Sequence, residues 1–124
     1  MIAVDTSTLI AYLAGERGRD VEALDLALAH NQARLPPVVV TETLIAQNAP
    51  ENVVRLLLAL PILDIGDGYW ERAGQLRRRL FAHGLKAPLA DALICQSCLD
   101  HDVPLLTRDR DFKHFAKHGG LTLA

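Results

Sequence analysis

Residues 88–112 read PLADALICQSCLDHDVPLLTRDRDF and predict a helix, a short turn and a buried strand. Pro88 suits the first turn of a helix, where its missing N–H would have had no partner, and apolar residues follow at helical spacing. The apolar run from Val103 to Thr107 is short enough for a strand. Because few residues separate the helix from the strand, the two should run antiparallel. This brings Asp91, near the helix start, beside Asp109, just past the strand, at the edge of the sheet where open α/β folds bind ligands.

The composition predicts one folded domain that spans residues 1–124. Half of the residues are apolar and 23% are charged, which excludes a disordered chain. The net charge of −2 means that any contact with nucleic acid must come from local patches. No basic segment precedes a long apolar stretch at the N-terminus, and the longest uncharged apolar run, residues 56–63, is too short to cross a bilayer. We therefore expect a cytoplasmic protein without membrane contact.

Two more acids follow predicted strands in the first third of the chain. The apolar residues 1–4 predict a strand, and Asp5, Thr6 and Ser7 then form a cluster of helix-capping residues. Residues 34–40 fit either a strand, because of three consecutive valines, or a helix that opens at Pro37. In either case Glu42 is expected early in a helix that begins at the same sheet edge as Asp5.

The remaining segments alternate between helix and strand. The pattern predicts a helix that starts at Asn48 and Pro50, a strand over residues 61–65, and a long helix capped by Asp67 and ended by Gly84. A short helix from Asp111 and a last strand over residues 121–123 complete the chain. Strands separated by helices imply right-handed crossovers, so we expect a three-layer α/β/α sandwich with a mainly parallel sheet of about five short strands.

Four carboxylates far apart in sequence should meet at one edge of this sheet. They are Asp5, Glu42, Asp91 and Asp109, with Asp111 as a further candidate. Close carboxylates repel one another unless helix N-termini or a divalent cation offset the repulsion, and oxygen-only ligands suit Mg²⁺ or Mn²⁺. Such a site supports phosphoryl transfer without a covalent nucleophile, which fits the absence of a G-x-S-x-G or a phosphate-binding G-x-x-x-x-G-K-[ST] motif. The alternative, that each acid is an ordinary helix cap, stays open for any single position.

The same residues resemble the motifs of PIN domains, and the spacing is similar to that of VapC-type ribonuclease toxins. The motifs are Asp5-Thr-Ser, Thr41-Glu-Thr-Leu, Ala90-Asp-Ala-Leu-Ile and Leu106-Thr-Arg-Asp-Arg-Asp-Phe. This resemblance implies a PIN-like fold, a Mg²⁺- or Mn²⁺-dependent endoribonuclease, a homodimer, and a VapB-type antitoxin whose C-terminal tail enters the acidic groove.

The resemblance also implies roles for individual residues. Asp5, Asp91 and Asp109 would be metal ligands, and Glu42 would hold a metal-bound water or assist its deprotonation. Asp109 and Asp111 compete for the fourth acidic position, and Asp109 is preferred because it lies nearer the strand end. Ser7 and Thr107 would orient carboxylates through hydrogen bonds.

Basic residues lie near the predicted acidic edge, and two other functions compete with a nuclease. Lys86, Arg108 and Arg110 flank the acidic edge and are candidates for contact with an RNA substrate. A non-cleaving PIN-like module that binds RNA or protein is the alternative, although all four acids are present. A receiver-like phosphotransfer domain ranks last, because Asp5 has no adjacent acid.

Overall fold

The sheet has three short parallel strands in the computed structural model, which describes residues 1–44 and 50–124. The strands are β1 (Ile2–Val4), β2 (Ala33–Arg34) and β3 (Leu105–Leu106). Their order is β2-β1-β3, so β1 is central. Ala3 of β1 pairs with Arg34 on one side and with Leu105 on the other. The carboxyl ends of all three strands therefore lie at one edge.

The predicted strand count of about five is too high for the described residues. Residues 61–65 and 121–123 each contribute one isolated parallel bridge, from Ile62 to Leu35 and from Leu123 to Leu105. Leu35 exchanges two backbone hydrogen bonds with that first segment, accepting from Leu63 and donating to Pro61. A two-bond contact is a bridge and not a strand, because the neighbouring residues do not continue the ladder.

Seven helices lie in residues 1–44 and 50–124. They are α1 (Thr6–Leu13), α2 (Arg19–Ala29), α3 (Pro37–Leu44), α4 (Glu51–Ala59), α5 (Tyr69–Ala82), α6 (Leu89–His101) and α7 (Phe112–Gly119). The ambiguous residues 34–40 are thus divided: the strand ends at Arg34 and the helix opens at Pro37, where proline is favoured. Within the described part of the chain, no helix is both long and apolar enough to span a membrane.

The helix ends agree with most of the predicted boundary residues. Asp5 caps α1 by accepting a hydrogen bond from the Thr8 N–H, and Gly84 follows α5 with a positive φ of 70°. The prediction that Asp67 caps α5 is wrong. Gly68 occupies the N-cap position instead, with φ of 81°, so its backbone makes the turn into the helix without a side-chain cap. The predicted helix start at Asn48 lies outside the described residues.

Two groups of helices enclose the sheet, and the predicted α/β/α arrangement is confirmed. α1 packs on α2, α5 packs along both α6 and α7, and α3 contacts α1 and α6. The core between them contains Val4 and Leu105 from the sheet together with Leu9, Leu80 and Phe115 from the helices, all 0% exposed. Burial of these side chains holds the helices against the sheet.

Candidate functional site

A cleft of about 250 Å³ lies at the carboxyl edge of the sheet. Four acids line it, and apolar side chains from α1, α6 and α7 form part of its wall. The lining residues are Asp5, Thr6, Ser7, Ile10, Glu42, Asp91, Ile94, Asp109 and Phe112. The structure therefore brings together the four acids, Asp5, Glu42, Asp91 and Asp109, that the sequence predicted at this edge.

Asp5 lies directly after β1 and is 3% exposed. Its backbone N–H donates to the Leu106 carbonyl at 3.1 Å, which ties the residue to the end of β3. Its carboxylate accepts hydrogen bonds from the hydroxyls of Ser7 and Thr107 and from the Thr8 N–H. Burial raises the pKa of Asp5, while these donors oppose the shift. The two hydroxyl residues predicted to orient a carboxylate thus both contact this one.

Glu42 reaches the cleft from the second turn of α3, as the sixth residue of that helix. It was expected nearer the helix start, where the helix dipole acts most strongly. The Thr6 hydroxyl donates to Glu42 Oε1 at 2.8 Å and fixes the carboxylate in orientation. Sequence reasoning missed this role of Thr6, because the two residues are 36 positions apart and only the packing of α1 beside α3 brings them together.

Asp91, Asp109 and Asp111 form the tightest acidic group. One carboxylate oxygen from each lies within 4.8 Å of the other two. Asp91 is in the first turn of α6, and the other two acids lie in the loop between β3 and α7. The Asp109 N–H donates to Thr107 Oγ1 at 3.0 Å and the Asp111 N–H donates to Asp109 Oδ1 at 2.9 Å, so the loop curls around its own acids. Asp109 and Asp111 thus both approach Asp91, but of these two only Asp109 is among the residues that line the cleft.

The pKa of Asp91 is raised in this arrangement. Burial raises its pKa to about 6, and repulsion from neighbouring carboxylates adds to the shift. These neighbours are, in decreasing order of effect, Asp109, Glu42, Asp111 and Asp5. A bound divalent cation would offset this repulsion.

The donor set fits a hard divalent cation. Every acidic ligand candidate in the cleft supplies oxygen, and among residues 1–44 and 50–124 neither histidine nor cysteine lines it. Oxygen-only sets favour Mg²⁺ or Mn²⁺ over zinc. Both cysteines, Cys95 and Cys98, are buried and free and are not among the residues that line the cleft, and burial raises the pKa of both thiols.

The basic residues near the cleft differ in their contacts. Arg108 was a candidate for substrate contact, but its guanidinium binds the carboxylates of Asp20 and Glu16. Lys86 and Arg110 are exposed. Sequence reasoning missed Asp20 as part of this region, since its partner lies 88 residues away and neither residue stands in a recognisable motif.

Comparisons with known proteins agree with the observed architecture. A family model described as PIN domain matches residues 2–118. No curated protein matches the sequence.

Three solved structures share the fold at low sequence identity. A crystal structure of VapBC2 from Rickettsia felis, bound to a DNA fragment from its promoter, has a TM-score of 0.79 at 20% identity, covering 100% of this chain and 98% of that chain. A crystal structure of FitAcB from Neisseria gonorrhoeae has a TM-score of 0.67 at 18% identity, covering 99% and 96%. A structure of FitAB bound to the IR36 DNA fragment has a TM-score of 0.72 at 22% identity, covering 100% and 94%.

Proposed function

This chain belongs to the PIN domain family, and on that premise we propose that it is a toxin-like endoribonuclease that depends on Mg²⁺ or Mn²⁺. One observation carries the proposal: carboxylates from four separate parts of the chain converge on one cleft whose ligands are all oxygen. Structural capping residues would have no reason to converge, because a cap contacts only the first turn of its own helix.

The residues of the cleft divide into ligands and a proton acceptor. Asp91 and Asp109 line the cleft, Asp111 lies beside it with a carboxylate oxygen within 4.8 Å of theirs, and Asp5 is a further ligand at the end of β1. When bound, the cation supplies Lewis acidity toward a phosphodiester oxygen and lowers the pKa of water. Ser7 and Thr107 hold the Asp5 carboxylate in one orientation by hydrogen bonds, so its oxygens need not reorganise when charge develops in the cleft.

Glu42 is the proton acceptor in this proposal. Thr6 occupies its Oε1, and within residues 1–44 and 50–124 no hydrogen bond engages Oε2. This oxygen therefore remains available to take a proton from the attacking water. Ile10, Ile94 and Phe112 form the apolar part of the same cleft.

The experiment that tests this function is controlled expression of wild type and Asp91→Asn in bacterial cells, followed by sequencing of newly formed RNA 5′ ends. We expect new ends and growth arrest with wild type and neither with Asp91→Asn, which should fold because the substitution removes repulsion and opens no cavity. Asp102→Asn is the matched control, since Asp102 is exposed at the other end of α6 and its φ of 51° is one that asparagine tolerates.

Two results would contradict the proposal. Cleavage by folded Asp91→Asn at the wild-type sites would show that the reaction does not need the acidic cleft. An absence of cleavage by folded wild type with RNA and Mn²⁺ in vitro would favour the non-cleaving binding module instead.

We further propose a VapB-type antitoxin as the protein partner and a homodimer as the assembled form, acting on RNA in the cytoplasm. The solved relatives named VapBC2 and FitAB support the first point, and the charge of the cleft fits a basic peptide segment. Two large exposed apolar side chains on α5, Trp70 and Phe81, support the second. Growth rescue by a small protein encoded next to this chain, and a molar mass of twice the monomer by light scattering, would test the two points separately.

A further inference from the structure

The loop that carries Asp109 and Asp111 is anchored from outside the cleft. Arg108, which immediately precedes Asp109, does not line the cleft. Its backbone N–H donates to Ser7 Oγ at 3.3 Å, and its side chain binds the segment that connects α1 with α2 and the first turn of α2. The backbone of Arg108 therefore contacts the hydrogen-bond network of Asp5, and its side chain contacts a separate group of acids.

The side-chain contact is a bidentate ion pair. Arg108 Nε donates to Asp20 Oδ2 at 2.7 Å, and Nη2 donates to Oδ1 at 2.8 Å. Nη1 donates to Glu16 Oε2 at 2.9 Å, and Nη2 also reaches the Arg17 carbonyl at 3.3 Å. Paired N–H···O bonds of this kind fix the orientation of both groups, which a single contact between flexible side chains does not.

Asp20 connects this pair to the floor of the cleft. Its Oδ2 also accepts a hydrogen bond from the Thr8 hydroxyl at 3.0 Å, and Thr8 is 0% exposed. The Thr8 N–H in turn donates to the Asp5 carboxylate at 3.1 Å. The chain of contacts thus runs from Asp5 through Thr8 and Asp20 to Arg108, and from there into the acidic loop.

Gly18 permits the close approach on which this geometry depends. A Cβ at this position would lie 2.6 Å from Asp20 Oδ1 and 3.0 Å from Arg108 Nη2, and the backbone φ of 153° is one that other residues rarely adopt. A side chain here would therefore displace the ion pair. The local backbone and the two charged side chains fit one another.

We propose that Asp20 and Arg108 are positioning residues that hold the 107–111 loop in place and thereby set the affinity of the cleft for a divalent cation. The inference rests on the proposed function, because it concerns the same cation. It differs from the expectation that Arg108 contacts RNA, since the guanidinium is already engaged on the α2 side. Loss of either partner frees the loop, and Asp109 and Asp111 then no longer converge on Asp91.

Because Asp20 and Arg108 carry opposite charges, substitutions at the two residues distinguish positioning from a long-range electrostatic effect. If Asp20 and Arg108 acted only through long-range electrostatics, Arg108→Gln would remove a positive charge and strengthen cation binding, whereas Asp20→Asn would weaken it. Positioning predicts that both variants bind more weakly. Loss of such an outer contact typically lowers metal affinity by about 10-fold to 100-fold, and we expect about tenfold for each variant.

The measurement is calorimetric titration of the full chain with Mn²⁺ alone, together with amide hydrogen exchange of Asp109 and Asp111 in the absence of metal. Arg72→Gln is the matched control, because Arg72 makes a similar bidentate pair with Asp100, which is not among the cleft residues. We expect weaker binding and faster exchange in Asp20→Asn and Arg108→Gln and neither change in Arg72→Gln. Arg108→Lys keeps the charge but lacks the planar guanidinium that forms the bidentate pair, so this variant should also bind Mn²⁺ more weakly than wild type.

The outcomes separate this inference from the proposed function. Equal or tighter Mn²⁺ binding by folded Arg108→Gln and Arg108→Lys, with binding still lost in Asp91→Asn, overturns the positioning role and leaves the cation site intact. No Mn²⁺ binding by wild type overturns both.

Discussion

At the residue scale, burial and, secondly, repulsion from neighbouring carboxylates raise the pKa of Asp91, and this predicts a pH-dependent stability. Its pKa is about 6 in the folded protein against an ordinary value of 3.8, so the folded state holds more protons between these values. The free energy of unfolding of the metal-free protein should therefore fall as pH rises through this window. Asp91→Asn removes the effect. Because Asp91 is only half-buried and solvent screens part of the interaction, we expect the variant to be more stable by about 1 kcal/mol at pH 7.

Urea unfolding in EDTA at several pH values between 4 and 7.5 measures this difference. The gap between Asp91→Asn and wild type should narrow toward pH 4, because the folded-state carboxyl is protonated there and the pH approaches the ordinary pKa of 3.8. Asp102→Asn, with the same chemical change at an exposed position, should not produce a gap that grows with pH. A gap that is widest at pH 4 would contradict the assigned direction of the pKa shift.

At the element scale, the sequence predicted those features that depend on local chemistry. Pro88 before α6, Gly84 after α5 and Asp5 before α1 were readable because proline, glycine and aspartate have specific positions at helix ends. The strands of this sheet are two or three residues long, and their extent depends on partners elsewhere in the chain. Pattern alone therefore overestimated their number.

The acidic site, too, could be predicted where it depends on neighbouring sequence and not where it depends on contacts between distant residues. Convergence of Asp5 and Asp91 followed from the order of strands and helices, since each acid lies beside a predicted element end. The approach of Asp111 to Asp91 did not, because it depends on the curl of a five-residue loop. The pairing of Arg108 with Asp20 joins residues 88 positions apart, and no periodicity encodes such a contact.

Alanine substitutions at two glycines test how closely α7 packs on α5. A Cβ at Gly119, in α7, would lie 2.8 Å from Cδ1 of Leu76, which is buried in α5. Gly119→Ala should therefore lower the free energy of unfolding by about 1 kcal/mol, as overpacking does in a close-packed core. Gly74→Ala, in α5 with no atom near the added Cβ, should raise it by about 0.5 to 1 kcal/mol through helix propensity.

Chemical denaturation of both alanine variants beside wild type checks this contrast. The opposite signs matter more than the magnitudes, because the two substitutions are chemically identical and both lie in helices. Stabilisation by Gly119→Ala equal to that by Gly74→Ala would show that α7 does not pack closely on α5.

At the scale of the whole molecule, cation binding and folding are linked, and the linkage should reverse the order of stability of wild type and Asp91→Asn. Binding to the folded state alone adds about 2.7 kcal/mol at a cation concentration 100 times its dissociation constant. For a chain of 124 residues this corresponds to a rise in Tm of about 10 °C.

Thermal unfolding at pH 7 in EDTA, and again with excess Mn²⁺, tests this linkage. In EDTA wild type should be the less stable protein, because its Asp91 carboxylate is partly buried and is repelled by its acidic neighbours without compensation. With Mn²⁺ wild type should become the more stable one, since the gain from binding exceeds the cost of about 1 kcal/mol, whereas Asp91→Asn lacks a ligand and gains little. Equal Mn²⁺ shifts in the two proteins would mean that the ion binds elsewhere. A reversal would show that the cleft trades stability of the metal-free fold for affinity toward a divalent cation, as expected of acids held together for binding and not for folding.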